Sequence, residues 1–309
     1  MNLINSFAES LSKEIKIYSK LHQSDVIDTI FLGGGTPSTM NTDILKNVLS
    51  QIKNSFNVSE NPEITIECNP EDVIESKDKF LKISRTGVNR ISIGIQSFID
   101  AELEYLTRYH NSSEAEESVN ILKDLFENVS IDIIYALHNQ SESDIEYNLE
   151  KISRLDLKHV SAYSLILEKG TLLYKQMEKS DKIKQVDKKA EKFYFQISNT
   201  LRNMGYEHYE VSNYAKQGYQ SRHNLKYWNF ENYLGLGPSA HSFINNRRFS
   251  NVRNLKLYNN MLLNCTLPVE EDKLLNKEQL QNDYFISVLR SRGVEFSKYR
   301  RIFDEEFLI

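Results

Sequence analysis

The chain has 309 residues, 40% of them hydrophobic, a net charge of −5 and two cysteines. That composition fits a globular protein. It excludes a basic nucleic-acid binder, a bilayer-spanning apolar run and a disulfide framework. The N-terminal MNLINSFAESLSKEIKIYSK has helical apolar spacing and lacks the continuous apolar core of a secretory signal, so a soluble cytoplasmic protein is expected.

In chain order, VIDTIFLGG reads as a buried strand and NTDILKNVLSQIKNSF as a helix. EITIECNP alternates at period two, and EDVIESKDKFLKISRTG is a helix stopped by Gly87. VNRISIGIQSF is a strand, and residues 100–127 have helical spacing broken near HNSSEAEE. VSIDIIYAL, SESDIEYNLEKISRLD and HVSAYSLIL give strand, helix and strand, and residues 187–204 form a longer helix ending at Gly205. This alternation predicts an α/β fold with a parallel sheet and right-handed crossovers throughout, closed into a full or partial (β/α) barrel. From about residue 246 the pattern becomes helical with no strand alternation. The expected division is residues 1–245 as the barrel and 246–309 as a small C-terminal helical segment.

Ligand sites in such sheets lie at the carboxyl ends of the strands. Gly33 to Thr36, Glu67 to Asn69, Gln96 and Asp132 all fall there. Taken singly, the glycines are turn formers, Glu67 a helix cap and Asp132 a buried hydrogen-bond partner. Their shared position at one end of consecutive strands is what points to a ligand.

FLGGGTPSTM is similar to the Gly-Gly-Gly-Thr-Pro segment of radical S-adenosylmethionine (SAM) proteins of the oxygen-independent coproporphyrinogen III oxidase group. IECNP, GVNRISIGIQSF, IDIIYAL and HVSAYSLILEKGTLLY follow in that family's order. GYEHYEVSNYAKQGYQSRHNLKYWNFENYLGLGPSAHSF most resembles the HemW branch, the haem chaperones.

The resemblance implies a partial barrel of the radical SAM type that lacks its first strand, and a SAM site within it. Gly34, Gly35 and Thr36 would face the methionine amino group, with glycine letting bare backbone come close. Glu67 would accept from the ribose hydroxyls. Gln96 would touch the sugar or methionine part, Arg108 would pair with the SAM carboxylate, and Asp132 would close the ribose side. Without the resemblance, Arg108 reads as a surface ion-pair residue. The HNLKYW hexapeptide, residues 223–228, matches the His-Asn-x-x-Tyr-Trp signature of haem-binding members. It implies His223 as a ligand to haem iron and Tyr227 and Trp228 as aromatic faces for the porphyrin. A lone histidine in that place reads as an ordinary hydrogen-bonded one. His241, in LGLGPSAHSF, is either structural or directed into the pocket.

Two departures stand out. The family carries Cys-x3-Cys-x2-Cys upstream of the glycine loop as ligands of a 4Fe–4S cluster, and here no cysteine precedes Cys68. Cys68 is expected to be a small buried residue. An N-terminally truncated chain, or a divergent member that dispensed with the cluster, is therefore expected, with the strand at 26–33 left as an unpaired edge. In YALHNQSESD, Ala136 and His138 replace a glycine and a proline.

The function implied is a haem chaperone, a carrier rather than a catalyst. It would pass haem to an acceptor, with a membrane-associated respiratory protein as the candidate, and homodimerisation is left open. The alternatives are an oxygen-independent coproporphyrinogen III dehydrogenase and an inactive truncated remnant.

Overall fold

A computed structural model describes residues 3–166, 174–175 and 183–304, with side chains from 183 to 188 excepted. The expected strand end at Leu167, the family segment over 167–173 and the last residues of the C-terminal helical piece lie outside this range. The chain divides into two compact units. The first comprises Met1–Phe31, Met40–Glu63 and Ser221–Ile309, and the second Leu32–Thr39 and Ile64–Gln220.

Seven strands form one sheet: β1 (Val26–Leu32), β2 (Asn57–Cys68), β3 (Arg90–Gln96), β4 (Asn128–Tyr135), β5 (His159–Ser164), β6 (Glu207–Glu210) and β7 (Asn213–Ala215). Their order is β1-β2-β3-β4-β5-β7-β6. This is a partial barrel of alternating strands and helices, as the sequence predicts. The pairs β2–β3, β3–β4 and β4–β5 are parallel. The expectation of a parallel sheet throughout is corrected at β7, which runs antiparallel to both β5 and β6. Only Val211 and Ser212 join β6 to β7, and so short a link permits a hairpin but no parallel crossover. Strands of four and three residues are also too short to announce a period.

In the second unit the helices are α3 (Pro70–Glu75), α4 (Lys77–Ser84), α5 (Asp100–Tyr105), α6 (Ser112–Leu125), α7 (Glu142–Leu155) and α8 (Ile183–Asn203). Reciprocal capping fixes two starts: Asn111 with Glu114 opens α6, and Ser141 with Asp144 opens α7. The single helix expected over residues 71–87 is two, broken at Ser76, whose φ of −152° is not helical.

The strands of this unit alternate strictly. Ile64 and Ile66, Ile91 and Ile93, Val129 and Ile131, and Val160 and Ala162 are buried on one face. Thr65, Arg90, Ser92, Ser130, His159 and Ser161 occupy the other positions and are buried as well. Polar groups there must bond to one another or to a ligand. Ser130 Oγ meets His159 Nδ1 at 2.7 Å, and His159 Nε2 meets the Tyr209 hydroxyl at 2.7 Å. Burial and the Arg90 charge keep His159 well below the usual histidine range.

The first unit holds α1 (Leu3–Leu21), α2 (Thr42–Ser55), α9 (Arg222–Trp228), α10 (Leu255–Leu263), α11 (Lys277–Val288) and α12 (Phe296–Phe303). It also holds an antiparallel sheet of β8 (His241–Ile244), β9 (Arg247–Asn251) and β10 (Val269–Leu274) in the order β10-β9-β8. The segment after residue 246 therefore contributes two strands as well as the expected helices. Its β10, VEEDKL, is exposed along nearly its whole length, so no apolar alternation marks it. One apolar cluster gathers Phe243, Leu280, Tyr284, Val288, Tyr299 and Phe303, and a second gathers Val252, Tyr258 and Leu262. Glu14 of α1 is fully buried and accepts from the Tyr258 hydroxyl (2.7 Å), Gly237 N–H (2.8 Å) and Asn251 Nδ2 (2.6 Å). Among the described residues no helix is long and apolar enough to cross a membrane.

Candidate functional site

Two groups of predicted site residues assemble, one in each unit. In the second unit the glycine loop follows β1, with Gly33, Gly34 and Gly35 exposed. Gly34 has φ +83°, a left-handed conformation that favours glycine, and its N–H donates to Glu67 Oε2 at 3.1 Å. The loop then enters a 3₁₀ turn at Pro37–Thr39, where Ser38 Oγ donates to Asp72 of α3 at 2.7 Å.

Burial pushes the Glu67 carboxyl up to about 7; the Gly34 N–H opposes this and the Asp132 charge adds to it. Asp132 is raised by burial too, against hydrogen bonding from Ser161, the Arg90 charge and hydrogen bonding from Ser92. Ser92 Oγ lies 3.2 and 3.3 Å from its two oxygens. Gln96 ends β3 at φ +65°, beside a register shift in the β3–β4 pairing. Arg108 Nη2 donates to Asn69 Oδ1 (3.1 Å) and to the Gly94 carbonyl (3.0 Å). Arg108 Nε is buried and has no hydrogen-bond partner among the described residues. Asn69 Nδ2 donates to Thr36 Oγ1 at 3.2 Å.

Thus Gly34 meets Glu67, and Thr36 reaches Arg108 through Asn69. Sequence reasoning placed Asn69 at the ligand end of its strand without giving it a role, and it left out Gly94. Asn69 follows Glu67 and Cys68 at the end of β2, so position was its available signal. Ala136 sits buried at φ +64°. That conformation strains an L-residue by roughly 1 kcal/mol.

Exposed loop backbone, an acceptor carboxylate and an unpartnered guanidinium N–H fit a ligand that carries both donors and a carboxylate, as SAM does. An iron–sulfur cluster does not fit. Among the described residues no three His, Cys, Asp or Glu side chains are placed to hold a metal ion. Cys68 is buried with its thiol pushed well up by that burial, and Cys265 is exposed and free.

In the first unit HNLKYW forms most of α9. Ser221 caps it by accepting from Asn224 N–H at 3.2 Å, and the buried Glu63 carboxylate accepts from the N–H groups of Arg222 (3.0 Å) and His223 (2.9 Å). His223 Nδ1 lies 2.9 Å from Thr29 Oγ1, and Nε2 lies 2.9 Å from the Tyr227 hydroxyl. The Phe31 ring stacks on the imidazole at 5.1 Å, and Tyr227 meets it edge-on at 5.3 Å. With the proton on Nδ1 donated to Thr29, Nε2 presents a lone pair. These groups fit His223 as a nitrogen ligand for haem iron, with the Tyr227 hydroxyl as the competitor for Nε2. Burial and nearby Tyr233 hold that phenol up at about 12, so it stays protonated. Among the described residues Trp228 makes no ring contact with His223, and its buried Nε1 has no partner. Sequence reasoning missed Thr29, Phe31 and Glu63, which lie far from the hexapeptide in sequence. His241 is exposed at the start of β8, paired with Ser250.

The radical SAM superfamily profile matches residues 6–152. Heme chaperone HemW of Bacillus subtilis is 32% identical over 98% of this chain and 82% of its own length. Heme chaperone HemW of Lactococcus lactis is 33% identical over 98% and 79%. Among solved structures, coproporphyrinogen III oxidase (HemN) from Escherichia coli, a radical SAM enzyme, superposes with a TM-score of 0.82 at 18% identity, covering 99% of this chain and 73% of that one. With that fold and these relatives across nearly its whole length, the chain belongs to the HemW heme chaperone family of the radical SAM superfamily.

Proposed function

We propose that this protein is a cytoplasmic haem chaperone that binds haem through His223 and passes it to an acceptor, a membrane-associated respiratory protein. The observation that carries this is the HNLKYW helix, in which Thr29 and Phe31 orient the imidazole and a neutral phenol holds Nε2. Bound haem would supply an iron that takes an imidazole nitrogen as ligand. His223 Nε2 would ligate it, with Thr29 holding the Nδ1 proton, and Tyr227 and Trp228 would offer their rings to the porphyrin.

The second unit binds SAM in this reading. Gly34, Gly35 and Thr36 face the amino group, Glu67 and Asp132 take the ribose, Gln96 lies along the ligand and Arg108 takes the carboxylate. An iron–sulfur cluster has no part in this reading, because among the described residues no side chains fit one. Transfer is tested by incubating the haem-loaded protein with membranes from haem-depleted cells. Haem leaving the chain and appearing in membrane haem proteins is the expected result. Retention on the chain at equilibrium would contradict a carrier.

A further inference from the structure

Asn69 joins two residues given to the same end of the ligand. Its carbonyl accepts from Arg108 Nη2 and its amide donates to Thr36 Oγ1. Arg108 is donor-only, which fixes the amide with Oδ1 towards the guanidinium and Nδ2 towards Thr36. Thr36 Oγ1 accepts from Asn69, and Arg108 Nε has no hydrogen-bond partner among the described residues. The Gly94 carbonyl anchors Nη2 from the other side. A Cβ at Gly94 would come within 2.8 Å of Gln96 Nε2, 3.2 Å of Arg108 Nη2 and 3.4 Å of Asn69 Oδ1. The space over Gly94 is thus where three side chains from three loops converge.

We infer that Asn69 is a positioning residue for the aminocarboxylate end of SAM, setting the Thr36 hydroxyl and the Arg108 guanidinium together. This rests on the assignment of Thr36 and Arg108 to that end. A ligand lacking the aminocarboxylate should not sense Asn69. 5′-Methylthioadenosine keeps the adenosine part and lacks that end, so the two ligands separate a positioning role from a general loss of structure.

Calorimetric titration of the full chain with SAM and with 5′-methylthioadenosine tests this. Asn69→Ala is expected to weaken SAM about tenfold, the size of a lost hydrogen-bond arrangement, and to leave 5′-methylthioadenosine unchanged. Asn69→Asp keeps an acceptor for Arg108 but loses the donor to Thr36 and sets a negative charge near the SAM carboxylate. It is expected to show the same selective loss. Equal weakening of both ligands, or no weakening of SAM, in both variants overturns the inference. A wild-type chain that binds 5′-methylthioadenosine but not SAM, or neither, overturns the site assignment itself.

Discussion

Glu67 shows how one carboxyl can couple a loop to a ligand. Its folded-state value near 7 stands above the ordinary 4.5. Its contribution to the stability of the ligand-free fold is therefore full below about 4.5 and is lost as pH rises through about 7. The ligand carries positive charge, so binding favours the ionised form and runs the other way. SAM affinity is expected to rise by up to about tenfold per pH unit as the carboxyl ionises, levelling off above pH ~7.5. In Glu67→Gln that rise should flatten, as measured by calorimetry across the range. The glycine loop and Glu67 were legible because special backbone and a strand-end carboxylate are local signals. Asn69 was legible only as a strand-end residue; its link to Arg108, which arrives from another loop, was not, and neither was the part played by Gly94.

At the scale of the element, α9 is short and held from outside itself. Seven residues make a marginal helix, and Glu63 supplies two acceptors that its own sequence lacks. The spacing of His223 and Tyr227, four apart, places the hydroxyl on Nε2. Iron must displace that hydrogen bond, worth about 1 kcal/mol net. Tyr227→Phe keeps the ring and removes the competitor, so haem affinity should increase about fivefold. A fall in affinity would instead make the hydroxyl a haem contact. The strands β2 to β5 were legible from their alternation. The strands β6, β7 and β10 were not, being short or exposed, and the helix over 71–87 concealed a break at Ser76.

For the molecule as a whole, each unit is sewn from distant stretches of chain. Glu14 of α1 takes hydrogen bonds from residues more than 220 positions away. Removing the carboxylate leaves a buried phenol, amide and backbone N–H short of an acceptor, so Glu14→Ala should destabilise the first unit by about 3 kcal/mol, read as a lower denaturant midpoint. Composition and βα rhythm revealed the barrel class because every strand–helix pair repeats that signal. Long-range clamps such as Glu14 leave no local trace. The claim on which the function turns is that His223 binds haem iron, and haem titration of the full chain followed in the Soret band tests it most directly. Wild type should give a saturable shift to an imidazole-ligated spectrum that His223→Ala loses; identical spectra and affinity in the two proteins would contradict His223 as the ligand.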